Sequence, residues 1–199
     1  EHEAVLAATD YLERWHDVEV TRLPVDNAGR TDAALLRAAL RDHTALVSVQ
    51  HANNEVGTVQ PVRALGEEAH ARGALFHVDA VQTAGWMSLD PAEGPELSTG
   101  ALADAGLSTA DAVSISAHKL GGPKGVGALI LHTRARLEPI IHGGGQEGER
   151  RSGTENVAGA VGLAVALQLA GEEREAHPDR WSAEAQRRDA FIAAVVEAV

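Results

Sequence analysis

The chain has 199 residues, 17 basic and 29 acidic, and a formal net charge of −12 with its histidines neutral. That length can bury a sizeable core, the 44% apolar content argues against disorder, and the acidic balance speaks against nucleic acid or an anionic membrane as partner. No cysteine is present to form disulfides or ligate a metal, and no apolar run reaches the roughly 18 residues of a bilayer span.

In chain order, residues 4–15 space their apolar side chains helically, and 18–23 alternate as a strand does. Residues 24–29 predict a turn. Thr31 and Asp32 offer an N-cap for a helix reaching Leu40. The apolar run 45–49 predicts a buried strand that ends in the polar loop 51–57. Pro61 suits the first turn of a helix to about Arg72, and Gly73 stops it. Further strands are predicted over 74–79, 111–116 and 126–131, and the small, apolar stretch 154–169 predicts a buried helix. Residues 90–110, rich in Pro, Gly, Ser and acid, read as a surface excursion. Residues 171–179, charged and containing Pro178, read as a linker to a second domain. The chain starts at Glu1 without Met and ends within an apolar helical pattern, so both ends read as cut. Its first residues lack the basic start and apolar stretch of a signal peptide, which makes the cytoplasm the default expectation.

Alternating strands and helices of these lengths predict an α/β domain with a mostly parallel sheet. Ligands in such sheets sit beyond the carboxyl ends of the strands. The polar loops after Val49, Val78 and Ile115 all fall there. In the third of them, residues 116–127 read SAHKLGGPKGVG, so a lysine follows a buried strand and precedes glycines. Lys119 and Lys124 are the only lysines in a chain that otherwise uses arginine, and an arginine cannot form an imine with an aldehyde. A partly dehydrated pocket would lower the amine's pKa enough for attack. Ser116 and His118, two apart in extended chain, share a face and can both donate to phosphate oxygens. Asp79 ends its strand with His77 on the same face; such a carboxylate can hold a pyridine nitrogen protonated, or simply cap a helix. Gln82 and the stretch 53–55, which contains Asn54, could hydrogen-bond the hydroxyl of such a ring or the imine, although turn chemistry with Gly57 also accounts for Asn54.

The segment 142–154, HGGGQEGERRSGT, combines flexibility, cations and hydroxyls, and Thr154 near the next helix suits an anion. Neither this loop nor residues 121–125 carry the Gly-Lys-Ser/Thr ending of a nucleotide-hydrolase phosphate loop. His77 and Asp79 could offer two metal ligands, but no His-Glu-x-x-His pair accompanies them, so a metal is not expected.

Blocks along almost the whole chain resemble the cysteine desulfurases among the class V aminotransferases of fold type I, nearest to the nitrogen-fixation and iron–sulfur-cluster branch. They are 1–5 (EHEAV), 49–57 (VQHANNEVG), 76–82 (FHVDAVQ), 114–119 (SISAHK), 122–128 (GPKGVGA), 142–147 (HGGGQE) and 151–156 (RSGTEN). The resemblance implies a three-layer αβα large domain over residues 1–170, truncated at its start, with residues 171–199 leading into a truncated small domain. It implies pyridoxal 5'-phosphate as cofactor, with Lys119 as the imine-forming and proton-shuttling amine and His2 stacked on the ring. Asp79 would pair with the pyridine nitrogen, Gln82 and Asn54 would contact the ring hydroxyl side, and Ser116 and His118 would hold the phosphate. Thr154 would reach the phosphate of a partner subunit, which makes a homodimer the expected state. L-cysteine would be the substrate, and a sulfur-acceptor or scaffold protein the partner.

The chain departs from that family in lacking the nucleophilic cysteine, the phosphate-binding turn before Glu1 and the substrate-carboxylate arginine, so the 199 residues alone should not turn over. Gly148 and Glu149 stand where Arg-Gly is usual, and 90–110 is longer than expected. Two other functions remain open at this point: another class V enzyme, such as a selenocysteine lyase or an aminotransferase, or a non-catalytic dimerisation remnant.

Overall fold

A computed structural model describes residues 1–89 and 107–198. Helix α1 (Glu3–His16) starts at His2, whose Nδ1 accepts the Ala4 N–H at 3.1 Å, and stops at Asp17, which adopts a left-handed φ of 52°. Helix α2 (Ala33–Ala39) is capped by Asp32, whose carboxylate accepts the Leu35 N–H at 2.8 Å. Thr31 does not share that role: its N–H donates to Gln60 Oε1 at 3.1 Å instead.

The sheet has the order β1-β2-β3-β4, with β1 (Leu46–Gln50), β2 (Leu75–Asp79) and β3 (Ala112–Ser116) parallel and β4 (Gly127–Leu131) antiparallel to β3. The mostly parallel α/β expectation therefore holds. Helix α3 (Val62–Ala71) makes the crossover from β1 to β2 and buries Val62, Leu65, Gly66 and Ala69. Period-two alternation sends Val47, Val49, Phe76, Val78, Val113 and Ile115 into that core, together with Leu36 and Leu40. The alternate positions, Ser48, Gln50, His77, Asp79, Ser114 and Ser116, make the other face of the same three strands polar.

Three expectations change. Residues 18–23 belong to no strand, because a strand needs a ladder partner and none of the described residues provides one. Side chains tie this segment down instead: Arg22 pairs with Asp10 and with Glu13 of α1, and Arg41 with Glu19. Helix α5 (Val157–Ala176) is longer than predicted and is not buried all round. It buries Gly159, Leu163 and Ala166 but exposes Val157, Val161, Val165 and Leu169 along one stripe. The charged stretch read as a linker is helical up to Ala176, so only His177, Pro178 and Asp179 separate α5 from α6 (Arg180–Ala198). Most of the predicted excursion at 90–110 lies outside the described residues; Leu107–Thr109 form a 3-10 turn that buries Leu107.

Candidate active site

Asp79 is the last residue of β2 and Ser114 its register partner in β3, so the carboxyl ends of these strands are neighbours. The chain leaving each strand is fixed by backbone bonds. His51 N–H donates to Asp79 O at 2.9 Å, and Ala80 N–H to Ser114 O at 3.0 Å. Asp79 is 8% exposed. Its Oδ1 accepts the Val81 N–H at 3.0 Å, and its other oxygen takes no hydrogen bond among the described residues. That oxygen is not among the buried atoms left without a partner, so it lies within reach of the surface and can accept from a donor outside the chain.

After β3 the chain makes a 3-10 turn over Ala117–Lys119. Ser116 Oγ and His118 Nδ1 lie 2.8 Å apart, as their spacing predicts. Lys119 is exposed at the end of the turn. The dehydrated surroundings expected for its amine are thus not supplied by the described residues. The turn itself is held tightly. Gly162 of α5 packs on Pro123, where a Cβ would come within 2.8 Å of the proline ring. Gly85, in the turn after β2, lies against Leu120, where a Cβ would sit 3.1 Å from that side chain. The segment carrying Gln82 and the turn carrying Lys119 are therefore packed together. Gln82 itself is half-buried.

The loop after β1 gives its turn chemistry to a residue other than Asn54. Asn53, not Asn54, does the turn chemistry, accepting the Glu55 and Val56 N–H groups at 2.8 and 3.0 Å. Asn54 is left exposed, its side chain without a hydrogen bond among the described residues. His2 is exposed at the head of α1, and the neighbouring Glu1 Oε1 accepts the Gln50 N–H at 2.7 Å, which moors that helix start to the end of β1. Loss of hydration raises the Glu1 carboxyl above its ordinary pKa, the Gln50 amide opposes this, and the like charge of Asp79 adds to the rise.

Thr154 is exposed in the loop before α5, whose cap is Asn156. The loop is internally tied. Gly145 N–H donates to Ser152 Oγ at 3.3 Å, Gly153 N–H to Gln146 Oε1 at 2.9 Å, and Arg151 pairs with Glu147 at 3.0 Å. Helical turn α4 (Gln146–Glu149) within it holds Glu147 and Gly148 at positive φ.

Two groups had no assigned role in the sequence. His51 is fully buried, with Nδ1 2.9 Å from Thr83 Oγ1, and joins the loops after β1 and β2. His77, weighed only as a metal ligand, is bracketed by Ser48 and Ser114. Its i, i+2 relation to Asp79 was the available signal.

The family profile of the class-V aminotransferases matches residues 1–190. The chain belongs to that family. It is 49% identical over 170 residues to a cysteine desulfurase of Cereibacter sphaeroides, covering 85% of this chain and 40% of the relative. A solved NifS-like protein superposes with a TM-score of 0.83 at 36% identity, over 99% of this chain and 50% of that one. A second structure, SspA in complex with cysteine, gives a TM-score of 0.72 at 35% identity, over 84% and 45%. Across eight of the curated relatives it matches, this chain spans 40% to 44% of their length. The family's cofactor is pyridoxal phosphate, and the donor set at the ends of β2 and β3 fits it. A carboxylate with a spare oxygen suits a protonated ring nitrogen, a hydroxyl beside an imidazole suits a phosphate, and a primary amine suits an aldehyde.

Proposed function

We propose that this chain is the cofactor-binding part of a pyridoxal-phosphate-dependent cysteine desulfurase. The whole protein would convert L-cysteine to L-alanine and pass the sulfur, as an enzyme persulfide, towards iron–sulfur cluster or thio-cofactor synthesis. The observation that carries this is the unfilled oxygen of Asp79 beside the turn that bears Ser116, His118 and Lys119. Its likeness to named cysteine desulfurases supports the substrate class.

When bound, pyridoxal phosphate supplies an aldehyde carbon for amines and a protonated ring that draws electrons from the substrate's α-carbon. Asp79 holds the proton on that ring nitrogen through its free oxygen. Ser116 and His118 would hold the phosphate, and Gln82 and Asn54 would contact the ring hydroxyl side. His2 covers a ring face, with Glu1 mooring it to β1. Lys119 would be the amine that holds the aldehyde, and its Nζ would be the group that holds a proton for the substrate's α-carbon. The chain contains no cysteine, so the persulfide-forming thiol belongs to the rest of the protein. Residues 1–170 form the large domain and 171–199 lead into the small one. The protein works as a homodimer in which Thr154 serves the partner's phosphate, and it acts in the cytoplasm with a sulfur-accepting or scaffold protein. Among the described residues no helix is long and apolar enough to cross a membrane.

The test is reconstitution of the full-length protein with pyridoxal phosphate, followed by measurement of sulfide and alanine released from L-cysteine, beside Lys119→Ala. Equimolar sulfide and alanine, lost in the variant, are expected. Amino-group transfer without sulfide would point to another class V activity, and a protein that retains no cofactor would be a non-catalytic remnant.

A further inference from the structure

We propose that His77 is a positioning residue, which bridges three strands through the hydroxyls of Ser48 and Ser114 and so keeps the Asp79 carboxylate available for a ligand's ring nitrogen. This rests on the cofactor assignment above and extends it to residues behind the site.

Its basis is the register of the sheet. Ser48 is the β1 partner of His77, whereas Ser114 is the β3 partner of Asp79. The imidazole nevertheless reaches both, with Ser48 Oγ 2.8 Å from Nδ1 and Ser114 Oγ 2.8 Å from Nε2. The ring thus leans towards the carboxyl ends of the strands. There it engages the hydroxyl that stands beside Asp79 on the next strand. The Ser114 hydroxyl has no other hydrogen bond among the described residues, and the Asp79 carboxylate accepts only from the Val81 N–H. A serine opposite a half-satisfied carboxylate would ordinarily donate to it; His77 holds this one elsewhere.

Charge matters as much as geometry. A neutral imidazole offers one donor and one acceptor, and two hydroxyls satisfy it in either tautomer. The groups facing it from the neighbouring strands, Ser48 and Gln50 on β1 and Ser114 and Ser116 on β3, do not ionise. Among the described residues the charge that acts on it is that of Asp79. Burial, the larger influence, keeps the ring below its ordinary pKa of 6.5 despite that carboxylate's pull. An imidazolium here would compete with a pyridinium for Asp79, and a neutral ring does not. If strand cohesion were the whole purpose, apolar side chains like those on the opposite face would provide it without burying polar atoms.

The experiment compares full-length wild type with His77→Leu, His77→Gln and the double variant Ser48→Ala/Ser114→Ala. Pyridoxal phosphate affinity is read by equilibrium dialysis, together with the pH midpoint of the bound cofactor's visible absorbance. His77→Leu should weaken binding about tenfold, the scale of one lost polar contact, and move the midpoint by about one pH unit. The double serine variant should move both in the same direction, and His77→Gln, polar but never cationic, should recover most of the loss. If His77→Leu does not fold, the double serine variant decides by the same two readings. Unchanged affinity and midpoint with only a lower melting temperature would overturn the proposal, as would His77→Gln behaving like His77→Leu. Failure of wild type to retain the cofactor would instead remove the assignment on which the proposal stands.

Discussion

Asp79 and Asp111 are both buried carboxylates on the β2–β3 pair, 8% and 2% exposed, one at each end of the strands. Asp111, just before β3, spends both oxygens inside the chain. It accepts the Phe76 N–H at 2.8 Å, lies 2.9 Å from His70 Nε2, and pairs with Arg134. Burial alone would raise its pKa, but Arg134, the Phe76 amide and His70 together hold the carboxyl below its ordinary 3.8. Asp79 has one backbone donor and an oxygen to spare. The same residue type therefore closes the amino end of the sheet as a finished structural joint and leaves an acceptor unused at the carboxyl end. Saturation of the acceptor, rather than depth of burial, separates the two roles.

The largest effect that could break this contrast is at Lys119. In the full-length protein Lys119→Ala should lower sulfide release by about 10⁴-fold or more while leaving the circular dichroism unchanged. Retained turnover would take the chemistry away from the carboxyl end. Next come the paired carboxylates themselves. Asp111→Asn should cost about 3 kcal/mol in denaturant unfolding, because it strips a buried cation-paired site of its charge. Asp79→Asn should cost less than about 1 kcal/mol yet lose the cofactor. Equal destabilisation by both would dissolve the distinction.

Acid should separate the ends by pH. Asp111 has a depressed folded pKa, so its contribution is fully present above 3.8 and fades as the pH falls through the lower folded value. His77 also has a depressed folded pKa, but as a base. Its neutral form is favoured by folding, so stability is complete above 6.5 and declines below it, as the unfolded ring takes up a proton first. A melting curve taken downward from neutral pH should show both limbs, and His77→Gln should erase the upper one alone. The smallest expected change is a control away from both ends: Asp32→Ala removes the α2 cap and should cost about 1 kcal/mol with no effect on cofactor binding.

Much of the site is legible locally. Ser116 and His118 meet because two residues of extended chain place them on one face. Asp79 ends a strand because the apolar alternation stops there. The choice between Asn53 and Asn54 is less legible, since either can serve a turn, and only the backbone path gives that work to Asn53. Residues 18–23 mislead because alternation reports a face, and strand formation also requires a neighbour with open hydrogen bonds.

By itself the sequence determined the order of the elements, the parallel sheet, and the residue types gathered at its carboxyl ends, because side-chain periodicity and turn chemistry act over a few residues. Only the tertiary structure decided which carboxylate is saturated and which is not, and that His77 takes up the serine beside Asp79. Those depend on register between strands some thirty residues apart, which no local pattern encodes.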